Sequence, residues 1–267
     1  MQRVAVGDIN LNVEQRGRGP TLLLVHGFPL DHSMWRHQID AFGARFHVIA
    51  PDLRGFGQSD ATPPGTVTMA QLADDLAGLL DALGITQPVT FCALSMGGYV
   101  AFPFVRRHAK RLDKLILCDT RAVADTAEAA QNRGALADRV LAEGSAVAAE
   151  AMLPKLFAPL TAEKQPEVVE QTRQVMLRVN PIGVAAALEA MAVREDSTGL
   201  LPTIQVPALL LCGEHDGIST PDEMRGMAQA IPGARFEEIP GAGHMAPLEA
   251  PGPVNRAISQ FLGVTTA

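Results

Sequence analysis

At 267 residues, with 47% hydrophobic and only 4% aromatic side chains, the chain can build one large α/β domain or two small ones around a mainly aliphatic core, and its composition excludes a disordered protein. Its 29 acidic against 22 basic side chains leave a formal charge of −7, which removes the electrostatic case for a nucleic-acid partner. No apolar run approaches the ~20 residues that a membrane helix needs, so no membrane partner is expected.

In chain order, the opening "MQRVAVGDINLNVEQ" lacks the apolar stretch of a secretory signal, so export is not expected. The first expected strand is "LNVEQ" at 11–15. Strand-sized runs follow at 21–25 ("TLLLV"), 46–50 ("FHVIA"), 89–94 ("VTFCAL"), 114–118 ("KLILC"), 208–212 ("ALLLC") and 235–239 ("RFEEI"). Most are continuously aliphatic, the signature of parallel strands covered by helices on both faces. The intervening segments have helical spacing, as in Met69, Leu72, Ala73, Leu76, Leu79, Leu80 and Leu83 behind Thr68 as N-cap. Between Arg121 and about Leu200 no strand is visible, only alanine-rich helical stretches, one opened by Pro181. The expected organisation is therefore a core of residues 1–120 and 201–267 with a helical cap, 121–200, inserted in it. Cys92, Cys118 and Cys212 each lie in an apolar strand-like run and read as buried small hydrophobes, which suits a reducing cytoplasm.

Chemistry enters at "CALSMGGYVA", residues 92–101. Ser95 stands between a strand ending at Leu94 and a helix beginning near Gly97, in a G-x-S-x-G frame whose first slot holds Ala93. Small residues belong two positions either side of such a serine, because the turn is tight and its hydroxyl must project from the sheet edge above a helix N-terminus. A serine hydroxyl needs a base, and the base an orienting acid. Asp216 follows the strand at 208–212, and His244 follows the strand at 235–239 within "GAGHMAPLE". In a parallel sheet all strand carboxyl ends share one edge, so Ser95, Asp216 and His244 are expected to meet there. Asp119, just after the strand ending at Cys118, is the alternative acid. His26 is expected to support its loop through a hydrogen bond, and Asp52 and Arg54 to anchor the turn that holds them. His32, His37, His47 and His108 read as surface or structural.

With these residues in order Ser, acid, His, the chain resembles the α/β-hydrolase superfamily over nearly its whole length. "HGFPLDHSMW" (26–35) is similar to the family's oxyanion loop and "PDLRGFGQSD" (51–60) to its turn after the following strand. The layout is similar to small bacterial carboxylesterases and 3-oxoadipate enol-lactonases, the departure being Ala93 where many members have glycine. The resemblance implies a mostly parallel eight-stranded sheet with helices on both faces and a helical cap insertion. It also implies an oxyanion hole from the backbone N–H groups of Phe28 and Met96.

The function expected is hydrolysis of short-chain carboxylic esters through an acyl-enzyme, without cofactor or metal, by a monomer or homodimer acting on a small-molecule ester or lactone. Leu30, Met152, Phe157, Met191, Ile218 and Met245 are candidate pocket residues. An enol-lactonase is the alternative and needs a cation for its substrate's carboxylate, for which Arg121 or Arg133 is available. A C–C hydrolase, a perhydrolase and a ligand receptor that kept the fold are further rivals.

Overall fold

The aliphatic runs become strands because each can bury both of its faces. Along β3 (Thr21–Val25), Leu22 and Leu24 enter one core and Leu23 and Val25 the other. The same alternation holds along β5 (Val89–Leu94), β7 (Ala208–Gly213) and, from Leu115 onward, β6 (Leu112–Cys118). A strand serving two cores has no polar face, which is why these segments read as unbroken hydrophobic runs. The computed structural model describes residues 1–264.

With β1 (Gln2–Val6), β2 (Ile9–Arg16), β4 (His47–Pro51) and β8 (Arg235–Ile239), the strands form one eight-stranded sheet in the order β1-β2-β4-β3-β5-β6-β7-β8. All pairings from β4 to β8 are parallel; β1 with β2 and β2 with β4 are antiparallel. Strand β1 is absent from the expected set because it lies at the sheet edge and buries only Val4 and Val6, so "QRVAV" offers no aliphatic run.

Helices α1 (Arg36–Phe42), α2 (Met69–Ala82) and α3 (Met96–His108) connect the first strands. Thr68 caps α2 as expected, its hydroxyl accepting from Gln71 N. Between β6 and β7 lie five helices: α4 (Ala127–Glu143), α5 (Ala146–Leu156), α6 (Pro159–Lys164), α7 (Pro166–Arg178) and α8 (Pro181–Ala192). Proline opens three of them, and Thr126 and Asn180 cap two by accepting from Ala129 N and Ile182 N. Helix α9 (Pro221–Ala230) joins β7 to β8, and α10 (Ala246–Glu249) and α11 (Pro251–Leu262) follow.

The helical insertion lies against the loops at the carboxyl edge of the sheet. At one contact α8 meets the loop after β4 backbone to backbone: a Cβ on Gly183 would collide with the carbonyl group of Gly55. Replacing Gly183 with alanine is therefore expected to destabilise by about 1–3 kcal/mol through overpacking. Gly134 lies inside α4, where a Cβ would meet no other atom within 4 Å, and the same change there is expected to gain roughly 0.5–1 kcal/mol. Thermal melts of the two variants should move in opposite directions; movement in the same direction contradicts this packing.

Candidate active site

The corner between β5 and α3 places Ser95 at φ 52° and ψ −114°, a conformation that side chains other than glycine rarely adopt. Its N–H donates to Cys118 O at 3.0 Å, and its carbonyl accepts from Thr120 Oγ1 at 2.7 Å and Gly98 N at 2.8 Å, so the neighbouring strand end holds the corner shut. A Cβ on Gly97 would lie 2.5 Å from Val25 O, which explains the glycine two residues beyond the serine. On the other side the methyl of Ala93 is fully buried in the core, so the departure from glycine in that slot is accommodated.

The loop after β7 supplies Asp216, and the loop after the adjacent β8 supplies His244. Asp216 Oδ1 accepts from the N–H groups of Ile218 (2.7 Å) and Ser219 (3.1 Å), fixing the carboxylate, while Oδ2 stands 2.8 Å from His244 Nδ1. A carboxylate oxygen accepts, so Nδ1 carries the proton and Nε2 is left as acceptor toward Ser95 Oγ, 2.8 Å away. The three side chains, distant in sequence, form one continuous hydrogen-bonded line with Asp216 and His244 buried.

Asp119 occupies the same edge without joining that line. It too has positive φ (47°); its Oδ1 accepts from Gly213 N at 2.8 Å, and its buried Oδ2 has no partner among the described residues. Burial, reinforced by the Asp216 charge, pushes its carboxyl well above the usual carboxylate range. The alternative orienting acid of the sequence is therefore displaced by Asp216. Donor atoms of Asp119, Cys212 and Asp216 lie within 4.8 Å of one another, but this set does not suit a metal. The Asp216 oxygens are occupied, and burial raises the Cys212 thiol, which donates to Ser219 O at 3.0 Å.

The loop carrying Phe28 is anchored by buried polar groups. His26 Nε2 accepts from Leu53 N at 2.9 Å and its Nδ1 donates to Gly27 O at 2.9 Å, an arrangement for the neutral ring that burial favours. Asp52 Oδ1 accepts from His32 N (2.9 Å) and lies 2.6 Å from His32 Nδ1; Oδ2 accepts from Asn12 Nδ2 (2.7 Å) and Gln58 N (3.0 Å). Burial works against charge in both groups, yet the hydrogen bond and mutual attraction prevail: the His32 pKa rises, and the Asp52 pKa falls to about 2. His32, which read as surface or structural, is thus hydrogen-bonded to Asp52 behind this loop. Arg54 bridges Asp75 and Asp8. Among the described residues no acceptor takes the amides of Phe28 or Met96, which leaves both free for a ligand oxygen.

Of the candidate pocket residues, Leu30, Met191 and Met245 are fully enclosed by the protein, and Met152, Phe157 and Ile218 are partly exposed. The arginines offered as carboxylate ligands are both engaged: Arg121 makes a forked pair with Glu223, its Nε 3.0 Å from Oε1 and its Nη2 2.6 Å from Oε2, and Arg133 pairs with Asp125. Glu249 carries no signal in the sequence that marks it; its carboxylate is buried between the His244 loop and the insertion.

The sheet order, the strained serine corner after β5 and the acid and imidazole after β7 and β8 are the arrangement of α/β hydrolases. The chain belongs to the α/β hydrolase fold family, which matches residues 20–251. It is 31% identical to 3-oxoadipate enol-lactonase 2 of Acinetobacter baylyi over 96% of this chain and 94% of that protein. Among solved structures it is similar to a malate-bound thermophilic esterase from Thermogutta terrifontis, at 48% identity and TM-score 0.96 over 98% of both chains. It is also similar to the enol-lactonase from Burkholderia xenovorans LB400, at 34% identity and TM-score 0.91 over 98% of this chain and 100% of that one.

The Asp52–His32 pair gives a pH signature. Asp52 has its folded pKa below its ordinary value of 3.8, so its stabilisation is complete above pH 4 and is lost as pH falls toward 2. His32 has its pKa raised above 6.5, so its share is present below that pH and is lost as pH rises through the raised value. Asp52→Asn is expected to cost about 2 kcal/mol at pH 7 and to flatten the stability decline between pH 4 and 2, read by urea unfolding across pH. Parallel wild-type and variant curves would contradict the pairing.

Proposed function

We propose that this hydrolase cleaves uncharged, short-chain carboxylic esters through a covalent acyl-enzyme. The observation that carries the reading is the line Asp216–His244–Ser95, with 2.8 Å at each junction, ending at a hydroxyl beside two free amides. His244 Nε2 takes the Ser95 proton as Oγ attacks the carbonyl, and Asp216 keeps the proton on Nδ1 and stabilises the imidazolium. The Phe28 and Met96 amides receive the negative oxygen of the tetrahedral intermediate, a contribution typically worth about 10² to 10³ in rate per donor. His244 then protonates the leaving alcohol. Water, deprotonated by the same ring, attacks the acyl-enzyme and regenerates Ser95.

Three features support an uncharged acyl group. Glu223 and Asp125 pair with the two arginines available for a substrate carboxylate, Asp125 also holding Arg194, so an anionic substrate would have to compete with existing ion pairs. The candidate pocket residues are all apolar, and Met152, Phe157 and Ile218 are the partly exposed ones. Finally, an esterase is the relative with 48% identity. The second reading, an enol-lactonase acting on a carboxylate-bearing lactone, draws support from the two enol-lactonases similar to this chain and from the dicarboxylate bound in the esterase structure.

Nitrophenyl esters of increasing acyl length, run beside a carboxylate-bearing enol lactone, separate the two. The butyrate ester is expected to exceed the lactone at least tenfold in kcat/KM, and the reverse order would favour the lactonase. Ser95→Ala is expected to lower ester turnover by about 10⁴-fold or more with an unchanged circular dichroism spectrum; retained activity removes Ser95 from the reaction.

Asn in place of each buried acid distinguishes their roles. Asp216→Asn should cost about 10³ to 10⁴ in kcat by presenting His244 with the wrong tautomer. Asp119→Asn, which keeps an oxygen for the Gly213 N–H and tolerates positive φ, should stay within about tenfold. Equal losses in steady-state kinetics would contradict the assignment.

A further inference from the structure

Glu249, the last residue of α10, takes no part in the chemistry above, yet it is buried and its carboxylate accepts four hydrogen bonds. Oε1 receives the N–H of Gly243 at 2.9 Å and of Met245 at 3.0 Å, the residues on either side of His244. Oε2 receives the N–H of Ala158 at 2.8 Å and the hydroxyl of Thr161 at 2.6 Å, at the junction of α5 and α6 in the helical insertion. The two segments also touch directly. Met245 N lies 3.1 Å from Leu156 O, and a Cβ on Gly243 would fall 2.5 Å from Ala158 N and 2.8 Å from the Phe157 carbonyl carbon.

We infer that Glu249 is a positioning residue for His244 that ties the α5–α6 junction of the insertion, including Phe157, to the loop carrying the base. Three of its partners are backbone N–H groups, which only donate, so the site requires a side chain that accepts at both ends. A glutamine would set its NH₂ against either the amides flanking His244, where Met245 keeps Leu156 O but Gly243 loses its acceptor, or the amide of Ala158, leaving a buried donor unsatisfied either way. His244 must hold both Asp216 Oδ2 and Ser95 Oγ at 2.8 Å, and its neighbours on both sides are fixed by one oxygen of Glu249. This end of the insertion therefore moves with the base and does not open as an independent lid.

The inference rests on His244 acting as base toward Ser95, and the test keeps the two apart. Wild type, Glu249→Gln and Glu249→Asp are compared for nitrophenyl butyrate kinetics across pH and for the rate of Ser95 phosphonylation by an alkyl fluorophosphonate, which needs the Ser95–His244 pair but no particular substrate. Folding is checked by circular dichroism. Folded Glu249→Gln is expected to lose kcat and phosphonylation rate together by about 10- to 100-fold, KM changing less than threefold, as expected for a base displaced by up to an ångström. The inflection of kcat/KM with pH should shift as well, which simple destabilisation would not produce. Should Glu249→Gln fail to fold, Glu249→Asp carries the test: it still only accepts but is one methylene too short to hold both segments, and a loss of fivefold or more in phosphonylation is expected. Wild-type phosphonylation and pH profile in a folded variant would overturn the inference. Wild-type protein that is phosphonylated at Ser95 yet ignores nitrophenyl butyrate would instead count against the ester assignment.

Discussion

A serine held at a backbone conformation that serines avoid is the constraint on which the rest of this structure depends. At φ 52° Ser95 stores strain, and it persists only because Cys118 O and Thr120 Oγ1 lock its backbone from the neighbouring strand end. The return is direction: the hydroxyl leaves the sheet at the edge where β7 and β8 also end, and the single hydrogen bond it donates to His244 Nε2 completes the line. A relaxed corner would send the same side chain into the core or along the helix, and Asp216 and His244 would be left orienting each other to no effect.

That edge concentrates the buried polar groups of the protein. His26, Asp52, Asp119, Asp216, His244 and Glu249 all lie there, while the strand interiors beneath them are aliphatic. Buried polar atoms are costly unless satisfied, so each must be matched by fixed donors or acceptors, and each match immobilises a loop. Asp52 fastens the segment with Phe28, Asp216 fastens the His244 ring, and Glu249 fastens its backbone to the insertion. Asp119 keeps an oxygen without a partner among the described residues, and burial raises its pKa. Rigidity at the site thus comes from carboxylates that touch no substrate.

The parallel strands and the Ser, Asp, His set were legible because both follow from local composition: a doubly covered strand must be aliphatic throughout, and residues that follow such strands share one edge. Strand β1 escaped notice because an edge strand with one wet face needs only Val4 and Val6 to be apolar. Asp119 and Asp216 both follow strands; chain order and the neighbouring strand favoured Asp216, and it is Asp216 Oδ2 that reaches His244 Nδ1. Partnerships across long separations were not legible at all. Arg121 looked available until Glu223, 102 residues away, took it; His32 carried no sign of Asp52; and Glu249 sat in "APLEAP" like any helix-end acid. Such pairings depend on tertiary placement and leave no periodic trace.

The central claim is that Ser95 carries the acyl group during turnover. The direct measurement is rapid acid quench of the enzyme with nitrophenyl butyrate in excess, followed by peptide mass spectrometry. The account predicts one butyryl group, located on Ser95 and disappearing as substrate is exhausted. Turnover with no acyl-protein at any quench time, or with the acyl group on another residue, would contradict it.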